Sequence, residues 1–435
     1  MNRRDDQPMD TSRRSFLKKS SLAPLAGFLG VSQLTTDYAA AKGAPFIHTG
    51  KRTANTINCA IIGFGPQGRD IAEILTRFEE TNVVAVCDTF NLMLRRAKRS
   101  LPDAAQYADY REVLASDDVQ AVFITTPTHQ HKDITIAALE AGKHVYVEAP
   151  MANTIEDAEA MAKAARAVEG DQVFQVGQLL RYEPQYRSVY QFMRSGALGK
   201  PVMARMQAHG KESWRRTSSR RERETELNWR LDADVSLGLT GEKGLHQWDV
   251  AMWVLDELPS SISGFGNIMF WDDGRAVPDV VQTVLRFPSG FNLMYDASLV
   301  SSYEGTYEIF RGSDSTIMFR DQHKAWMFKE VDAPMLGWEV YARKDKFYKE
   351  KGIALLANAT QLDSLHQDAT YDDPNAETPL YWALRAFVDN YSFGPYPAQV
   401  GYNEGYIGTV IAVKANEAVM GNTTVEIAPS MYQLS

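Results

Sequence analysis

The chain has 435 residues, a formal net charge of −9 and only two cysteines. The acidic balance argues against nucleic acid as the main partner, and neither the short apolar segment near the start nor any later one is apolar for long enough to span a membrane. Cys59 and Cys87 fall in predicted core strands, so we interpret them as small buried side chains, although export would also permit a disulfide.

Residues 1–41 have the layout of an export signal. A basic stretch, Ser12-Arg13-Arg14-Ser15-Phe16-Leu17, precedes a short apolar segment and then Ala39-Ala40-Ala41. This order resembles a twin-arginine (Tat) signal, whose substrates cross the membrane already folded. The resemblance implies the Tat export machinery as a partner and a periplasmic or otherwise exported location. The alternative is a disordered basic leader, and residues 42–55 are predicted to be a linker.

Residues 57–88 have the pattern of a strand, a glycine turn, a helix and a second strand that ends on an acid. The turn is Gly63-Phe64-Gly65-Pro66-Gln67-Gly68, and Asp88 follows Gly68 by twenty residues. Gly63 permits the tight turn, Gly65 lets the backbone approach a pyrophosphate, and Gly68 lets the helix pack against the strand. Asp88 can accept hydrogen bonds from ribose hydroxyls and repels a 2′-phosphate, which favours NAD over NADP.

Strands and helices alternate from there to about residue 180. The alternation predicts a Rossmann domain, a doubly wound parallel sheet of six strands, over residues 56–180. Ligands bind at the carboxyl ends of such strands. Besides the glycine turn and Asp88, the cofactor-binding residues predicted at that edge are Thr126, Pro127, His131, Glu148 and Gln178.

The pattern changes in residues 181–435. Short segments with period-two alternation predict an α+β domain with an open, mostly antiparallel sheet. This domain is predicted to bind substrate and, because a wide sheet can pair with a second copy, to form a homo-oligomer. The charged residues 211–226 are predicted to form a mobile loop over the cleft, and residues 336–373 have no functional interpretation.

With both halves in view, the chain resembles the Gfo/Idh/MocA oxidoreductases, which are mostly sugar and polyol dehydrogenases. The resemblance covers about residues 56–427. The motifs that carry it are Gly63-Phe64-Gly65-Pro66-Gln67-Gly68, Thr126-Pro127-Thr128-His129-Gln130-His131, Ala141-Gly142-Lys143-His144-Val145-Tyr146-Val147-Glu148-Ala149-Pro150, Gln178-Leu179-Leu180-Arg181-Tyr182, Asn228-Trp229-Arg230 and Gly241-Glu242-Lys243-Gly244-Leu245-His246-Gln247-Trp248-Asp249.

One departure from the family pattern concerns catalysis. The usual Glu-Lys-Pro is Glu148-Ala149-Pro150 here, so the lysine beside nicotinamide and substrate is absent. Glu242 stands where an Asp is usual, four residues before the catalytic histidine, and we assign it to substrate binding. Lys243 follows at a position that is usually apolar. Our hypothesis is that Lys243 supplies the missing ammonium; the alternative is a solvated lysine.

Hydride transfer from a hydroxyl-bearing carbon needs a base and a stabilised alkoxide. His246 is the candidate base, and it matches the family's catalytic position; the alternative is a buried histidine. Asp249 is predicted to orient that imidazole, or else to be a plain acid at a helix N-terminus. Arg181 and Tyr182 are predicted to hold substrate hydroxyls, with packing between domains as the alternative. Trp229 is either a sugar-stacking aromatic or a core residue.

These assignments predict an exported NAD-dependent oxidoreductase that acts on a sugar, polyol or glycoside hydroxyl with a tightly bound, internally recycled cofactor. One alternative is an NAD-dependent glycosidase that works by oxidation and elimination. Another is a non-catalytic sensor or scaffold that holds NAD. His129 and His131 form an H-x-H without a third ligand nearby, so we predict no metal.

Overall fold

A computed structural model describes residues 56–218, 220–320, 324–340, 342, 344–347, 350–355 and 377–434. The predicted signal segment and linker lie outside the described residues, as does most of the segment 336–373. Within the described ranges, no helix combines the length and the apolar character needed to cross a membrane.

A six-stranded parallel sheet carries the first half of the described chain. Its strands are β1 (Ile57–Ile62), β2 (Thr81–Cys87), β3 (Ala105–Tyr107), β4 (Ala121–Ile124), β5 (His144–Val147) and β6 (Phe174–Val176). Their spatial order is β3-β2-β1-β4-β5-β6, so the order reverses between β1 and β4. Both faces are covered, and the strands are accordingly almost continuous runs of buried apolar residues. The predicted doubly wound sheet is confirmed.

Helices cross between these strands and cover both faces of the sheet. They are α1 (Pro66–Leu75), α2 (Asn91–Ser100), α3 (Tyr110–Leu114), α4 (His131–Glu140) and α5 (Ile155–Ala167). Helix α1 begins with Pro66, whose fixed φ and missing N–H suit the first helical position. It buries Ile71 and Leu75 against the sheet. Helix α5 begins at Thr154, whose hydroxyl accepts a hydrogen bond from the Asp157 N–H.

The second half is built on a ten-stranded sheet. Its strands are β7 (Pro201–His209), β8 (Ser261–Asn267), β9 (Val280–Arg286), β10 (Asn292–Ser298), β11 (Thr306–Gly312), β12 (Ser315–Arg320), β13 (Lys324–Lys329), β14 (Lys344–Phe347), β15 (Glu350–Leu355) and β16 (Thr424–Glu426). Neighbouring strands are antiparallel except β7 and β10, which run parallel. This confirms the predicted open and mostly antiparallel sheet.

The helices of the second half differ in position, since some cover one face of this sheet and others lie against the first half. They are α6 (Pro184–Phe192), α7 (Arg221–Leu227), α8 (Leu245–Leu255), α9 (Pro379–Phe393) and α10 (Tyr402–Gly421). Helix α9 packs on the first sheet, where the rings of Phe387 and Phe123 meet edge to face at 5.1 Å. The chain therefore returns to pack on the Rossmann sheet after it has formed most of the second sheet.

Candidate cofactor and active site

The glycine turn between β1 and α1 leaves an open cradle. Gly63 has φ +96°, and a Cβ there would lie 2.9 Å from the Thr125 carbonyl; a Cβ on Gly68 would lie 2.1 Å from the Gly63 oxygen. A Cβ on Gly65, by contrast, would meet nothing within 4 Å. Two of the glycines are therefore required by packing, and the third borders free space at a helix N-terminus, where N–H groups attract an anion. That space fits a diphosphate.

Asp88 is held beside the turn by two backbone donors. The Phe64 N–H donates to its Oδ2 at 2.8 Å, and the Phe90 N–H donates to its Oδ1 at 2.7 Å. Burial raises the pKa of Asp88, and these two donors oppose that effect. The Phe64 side chain is buried in the core, so Phe64 contributes to the site through its backbone alone. The carboxylate is therefore held beside the glycine turn, where it can accept hydrogen bonds from a ribose.

A hydrogen bond connects the glycine turn to the residue that follows β5. Gln67 donates from Nε2 to Oε1 of Glu148 at 3.1 Å. Burial raises the pKa of Glu148 to about 7, and the negative charge of Glu242 contributes in the same direction. Glu148 therefore takes up a proton more readily than an ordinary carboxylate does, at a point between the cofactor cradle and the second half of the chain.

Several buried polar atoms in the described chain have no hydrogen-bond partner. The set includes Thr126 Oγ1, His129 Nδ1, His246 Nδ1, Arg223 Nε and both amide atoms of Gln178. Buried polar groups are normally satisfied, so partners are expected for such atoms. Thr126 and His129 follow β4, and Gln178 follows β6. An NAD molecule and a polar substrate in the cleft would offer hydrogen-bonding partners to these three side chains. Their unpartnered atoms are therefore consistent with the predicted cofactor.

His246 sits in the first turn of α8, directly after a wide, π-helical turn over Thr240–Gly244. Such turns are frequent at functional sites. A Cβ on Gly241 would come within 3.0 Å of Pro150 Cγ, so this turn lies against the Glu148-Ala149-Pro150 segment. Burial, and secondly the charge of Lys243, lowers the pKa of His246 to about 4. The imidazole is therefore neutral at pH 7 and able to accept a proton.

Lys243 lies on the exposed side of the same turn. Its side chain is 43% exposed, and its Nζ is 3.4 Å from Oε1 of Glu212. The positive charge of Lys243 contributes to the lowered pKa of His246. Ala149 packs beside a small apolar cluster that contains Leu245, the residue before His246.

Residues shortly before α8 lie where the two halves of the chain meet and form one side of the cleft. Arg230 donates from Nε to Oε2 of Glu242 at 2.6 Å and stacks over the Trp229 ring at 4.3 Å. The His129 ring meets the Trp229 ring edge-on at 6.3 Å. Since His129 follows β4, Trp229 stands where the two halves of the chain meet. The sequence gives no role to Arg230 beyond its place in the Asn-Trp-Arg motif.

Comparison with known proteins agrees with this geometry. The model of an oxidoreductase family with an NAD-binding Rossmann fold, GFO_IDH_MocA, matches residues 57–178, and the model of the GFO/IDH/MocA C-terminal domain matches residues 186–317. Together the two matches cover more than half of the chain. The protein belongs to the Gfo/Idh/MocA family. Its first domain is accordingly an NAD-binding Rossmann domain.

Individual relatives share only part of their length with this Gfo/Idh/MocA chain. Inositol 2-dehydrogenase of Salmonella paratyphi B is 32% identical over 153 residues, which are 34% of this chain and 44% of that protein. A glycosyl hydrolase family 109 protein of Shewanella baltica is 33% identical over 161 residues, 33% of this chain and 35% of its own. The structure of a levoglucosan dehydrogenase in complex with NADH and levoglucosan aligns with TM-score 0.68 at 19% identity, covering 86% of this chain and 99% of that one. This last likeness concerns the fold.

Three of the predicted site residues have packing contacts in this Gfo/Idh/MocA structure. Both oxygens of Asp249 accept hydrogen bonds from Arg181 at 2.7 Å, so Asp249 does not orient His246, and the guanidinium is not directed to a substrate. Tyr182 is buried, and its hydroxyl accepts a hydrogen bond from the Val400 N–H. The reason is that the Arg181 guanidinium, from the segment after β6, occupies both carboxylate oxygens of Asp249.

His131 also differs from its predicted role. Its Nδ1 is 3.1 Å from the Pro150 carbonyl and its Nε2 is 2.9 Å from the Thr126 carbonyl. Burial lowers the pKa of His131 to about 4, so the ring is neutral and can donate to one carbonyl at a time. His131 therefore connects the segments that follow β4 and β5, and both of its ring nitrogens face backbone carbonyls.

The charged segment 211–226, predicted to be a mobile loop, contains helix α7 and lies over the cofactor edge. Its Arg223 places a guanidinium nitrogen 3.8 Å from Oδ1 of Asp88. The sequence alone does not identify Arg223, because a run of alternating charges does not show which arginine is mostly covered.

Proposed function

We propose that this protein is an exported, NAD-dependent oxidoreductase that acts on a hydroxyl of a sugar, a polyol or a glycoside. The observation that carries the proposal is the meeting of two sets of groups at one sheet edge. The diphosphate cradle at Gly65 and the carboxylate of Asp88 lie on one side, and His246 with its unpartnered buried nitrogen lies on the other. This is the arrangement that hydride transfer from a hydroxyl-bearing carbon requires.

The substrate class rests on the relatives and on the cleft wall. Several relatives are named inositol 2-dehydrogenases, which act on a cyclic polyol. In this chain, Trp229 is mostly buried with Arg230 over its ring, as the alternative of a core residue predicts, and the Arg230–Glu242 pair beside it brings a guanidinium and a carboxylate to the cleft. Charged donors and acceptors placed together suit a ligand with several hydroxyls.

The residues divide the chemistry between them. The glycine turn and Asp88 would hold NAD, which would supply the hydride acceptor for the hydroxyl-bearing carbon. His246 is neutral and accepts the hydroxyl proton as the carbonyl forms, and it returns that proton in the reverse direction. Lys243 holds positive charge near the oxygen and stabilises the alkoxide, the task that lysine performs in the family's usual Glu-Lys-Pro. Glu148, with a pKa of about 7, can relay a proton at the same edge.

The role of Lys243 is tested by Lys243→Met, with the exposed Lys200→Met as control. Loss of the ammonium should lower kcat by roughly a hundredfold, within the range for the removal of one electrostatic stabiliser. Adding Ala149→Lys to the Lys243→Met variant should restore part of the rate. Activity of Lys243→Met within a fewfold of wild type would show that Lys243 is a solvated surface residue.

Export and cofactor retention are proposed together. A protein that leaves the cytoplasm has no free nicotinamide pool, so its NAD must travel with it and be regenerated on the protein by a second carbonyl substrate. The twin arginine at Arg13-Arg14 supports export. Fractionation of cells that express an Arg13→Lys, Arg14→Lys variant should show the protein retained in the cytoplasm; unchanged export would contradict a Tat route.

The main test starts from the full-length protein as purified. Mass spectrometry and absorbance near 340 nm should reveal bound NAD(H) and its redox state, and a panel of sugars and polyols should convert bound NAD⁺ to NADH. Adding an oxidised sugar should then reverse the absorbance change. Bound NAD that no sugar or polyol reduces would instead indicate a non-catalytic sensor or scaffold.

A second candidate is an NAD-dependent glycosidase. It is favoured by the 33% identity to the Shewanella baltica glycosyl hydrolase family 109 protein. In that mechanism oxidation acidifies a neighbouring C–H, elimination expels the aglycone, and the hydride returns to the same sugar. Incubation with an aryl glycoside separates the two activities, because free phenol signals cleavage and a keto-glycoside signals oxidation alone.

We also infer that the protein forms a homo-oligomer through its second sheet. Met203, Met294 and Phe265 are exposed on the face of this sheet opposite to the one that packs on the helices. Exposed apolar residues grouped on one sheet face are typical of an interface. Light scattering of the purified protein should report a mass above 48.7 kDa, the mass of one chain.

A further inference from the structure

An arginine from the second half of the chain reaches the ribose end of the cofactor site in the first. Residues 211–218 and 220–228, called the strap below, leave the end of β7, cross to the Rossmann domain and return before α8. Arg223 lies on α7 in this strap, yet only 17% of its side chain is exposed. Its neighbour Arg220, three residues earlier, is exposed.

The strap is held by hydrogen bonds from residues on either side of Arg223. Arg215 donates to the Asp273 carbonyl and to Oε1 of Glu224, both at 2.6 Å. Asn228 accepts a hydrogen bond from the Arg216 N–H at 2.8 Å and donates to the Arg216 carbonyl at 2.9 Å. These bonds tie the outgoing and returning arms together, so the strap has a fixed path across the cleft.

The guanidinium of Arg223 has unused hydrogen-bonding capacity where it lies. It stacks over the Phe90 ring at 4.2 Å and pairs with Glu226. Its Nη2 is 3.8 Å from Oδ1 of Asp88, beyond hydrogen-bond reach, and its Nε is buried without a partner. A buried donor without an acceptor is unfavourable, and it points to an acceptor that arrives with a ligand.

We propose that Arg223 binds the adenosine half of NAD and that the strap acts as a clasp which slows release of the cofactor. This inference rests on the proposed function, in which the exported protein keeps its NAD. Asp88 accepts hydrogen bonds from the ribose hydroxyls, while Arg223 donates to the acceptors of the same adenosine from the opposite side. Phe90 holds the guanidinium plane in position, as arginine prefers on an aromatic face.

The competing explanation is that Arg223 only neutralises Asp88 and stabilises the fold. The two explanations differ in what the loss of the guanidinium changes. If Arg223 is a clasp, its loss speeds cofactor dissociation and leaves the stability of the NAD-free protein almost unaltered. If the pair is purely structural, its loss lowers the stability of the NAD-free protein and leaves the dissociation rate unchanged.

The test measures how fast NAD leaves the full-length protein. Wild type, Arg223→Met, Arg223→Lys and the control Arg220→Met are loaded with isotope-labelled NAD, freed of excess nucleotide and chased with unlabelled NAD. We expect Arg223→Met to release label at least tenfold faster than wild type, Arg223→Lys to be intermediate because it keeps charge without the planar fork, and Arg220→Met to match wild type. Calorimetry with ADP-ribose should show the same ordering, since the contact lies on the adenosine half.

The outcomes separate this inference from the function on which it rests. Release from Arg223→Met within twofold of wild type, or weaker NAD binding with unchanged ADP-ribose binding, overturns the clasp. Melting of the NAD-free variants tests the structural explanation, and a large loss for Arg223→Met that Arg223→Lys repairs, without a change in release, also overturns it. Rapid release from wild type contradicts cofactor retention, while the ADP-ribose affinities still report on Arg223.

Discussion

At the scale of single residues, the glycines of the glycine turn have different roles. Gly68 is required by the fold, because a Cβ there would overlap the backbone oxygen of Gly63 at 2.1 Å. Gly65 is not required by the fold, since a Cβ there meets nothing and its φ of −66° suits any residue. A sequence motif treats the two positions alike, whereas their surroundings assign one to packing and the other to the ligand.

This difference predicts opposite effects of one methyl group. Gly68→Ala should lower the free energy of unfolding by roughly 1–3 kcal/mol, because the backbone must shift to admit the Cβ. Gly65→Ala should leave the NAD-free protein as stable as wild type and weaken NAD binding at least tenfold. Denaturant unfolding without NAD, together with calorimetric titration of NAD, checks both. Unchanged NAD affinity in Gly65→Ala would show that the cradle does not hold the diphosphate.

At the scale of elements, the contacts between α8 and the segment after β6 set what Asp249 does. Arg181 and Asp249 form a doubly hydrogen-bonded ion pair, and the Asp249 side chain is 1% exposed. Burial raises the pKa of Asp249 while the arginine opposes that effect. The pair therefore joins the segment after the Rossmann sheet to the helix that carries His246, and it positions the base by fixing the helix.

Breaking the Arg181–Asp249 pair should lower the free energy of unfolding more than it lowers kcat. Asp249→Asn leaves the Arg181 cation buried without its counter-charge, and we expect a loss of about 3–5 kcal/mol in the free energy of unfolding. Asp256→Asn, at the left-handed C-terminal residue of the same helix, is the matched control and should be nearly neutral. If Asp249 instead oriented His246 directly, Asp249→Asn would reduce kcat sharply while denaturant unfolding stayed close to wild type.

Elements were predictable where local pattern and tertiary role agree. The buried strands β1 and β4 and helices α6, α9 and α10 follow from apolar periodicity and Pro or Gly at their ends. The sequence does not indicate strand β8, because Gly264 and Gly266 give this segment the composition of a loop. Both glycines are there because Val419 of α10 packs against them, with room for no Cβ. Contacts between distant elements, such as this one and the Arg181–Asp249 pair, leave no local signal in the sequence.

The same limit applies to the site. The glycine turn, Asp88 and Glu148 could be proposed as site residues from the sequence, because cofactor binding requires fixed residues at fixed offsets from a strand. His246 could be proposed as the base mainly through its family position, and these roles stay predictions. Arg223 and the packing roles of Tyr182 and His131 depend on which side chain fills which space between two domains, and one sequence does not specify that.

At the scale of the whole molecule, buried titratable groups pull the stability in opposite directions as pH changes. Burial lowers the pKa of His131 and His246 to about 4, so protonating the unfolded chain below its ordinary histidine pKa of 6.5 destabilises the fold as pH falls. Burial raises the pKa of Glu148 and Glu308 to about 7, so ionising the unfolded chain above 4.5 destabilises the fold as pH rises. Between about pH 4.5 and 6.5 the two effects oppose each other.

Glu308 allows this opposition to be tested away from the cofactor site. Its carboxyl accepts hydrogen bonds from the Tyr186 hydroxyl and the Gln247 amide in the core of the second half. Glu308→Gln removes a group whose folded pKa exceeds its unfolded one, so the stability that wild type loses between about pH 5 and pH 8 should be smaller in the variant by on the order of 2 kcal/mol.

The measurement is denaturant unfolding of the NAD-free protein at closely spaced pH values, with Glu330→Gln, at an exposed carboxylate, as the control. The difference in unfolding free energy between Glu308→Gln and wild type should change in favour of the variant as pH rises, while the control shows no such trend. Because the introduced amide still accepts from Gln247 but pairs less well with Tyr186, the variant can be the weaker protein at the acidic end of the range. The decisive quantity is therefore the slope of this difference against pH. A difference in unfolding free energy that does not change with pH would mean that Glu308 is already ionised at the acidic end. The hydrogen bonds from Tyr186 and Gln247 would then outweigh the effect of burial on its pKa.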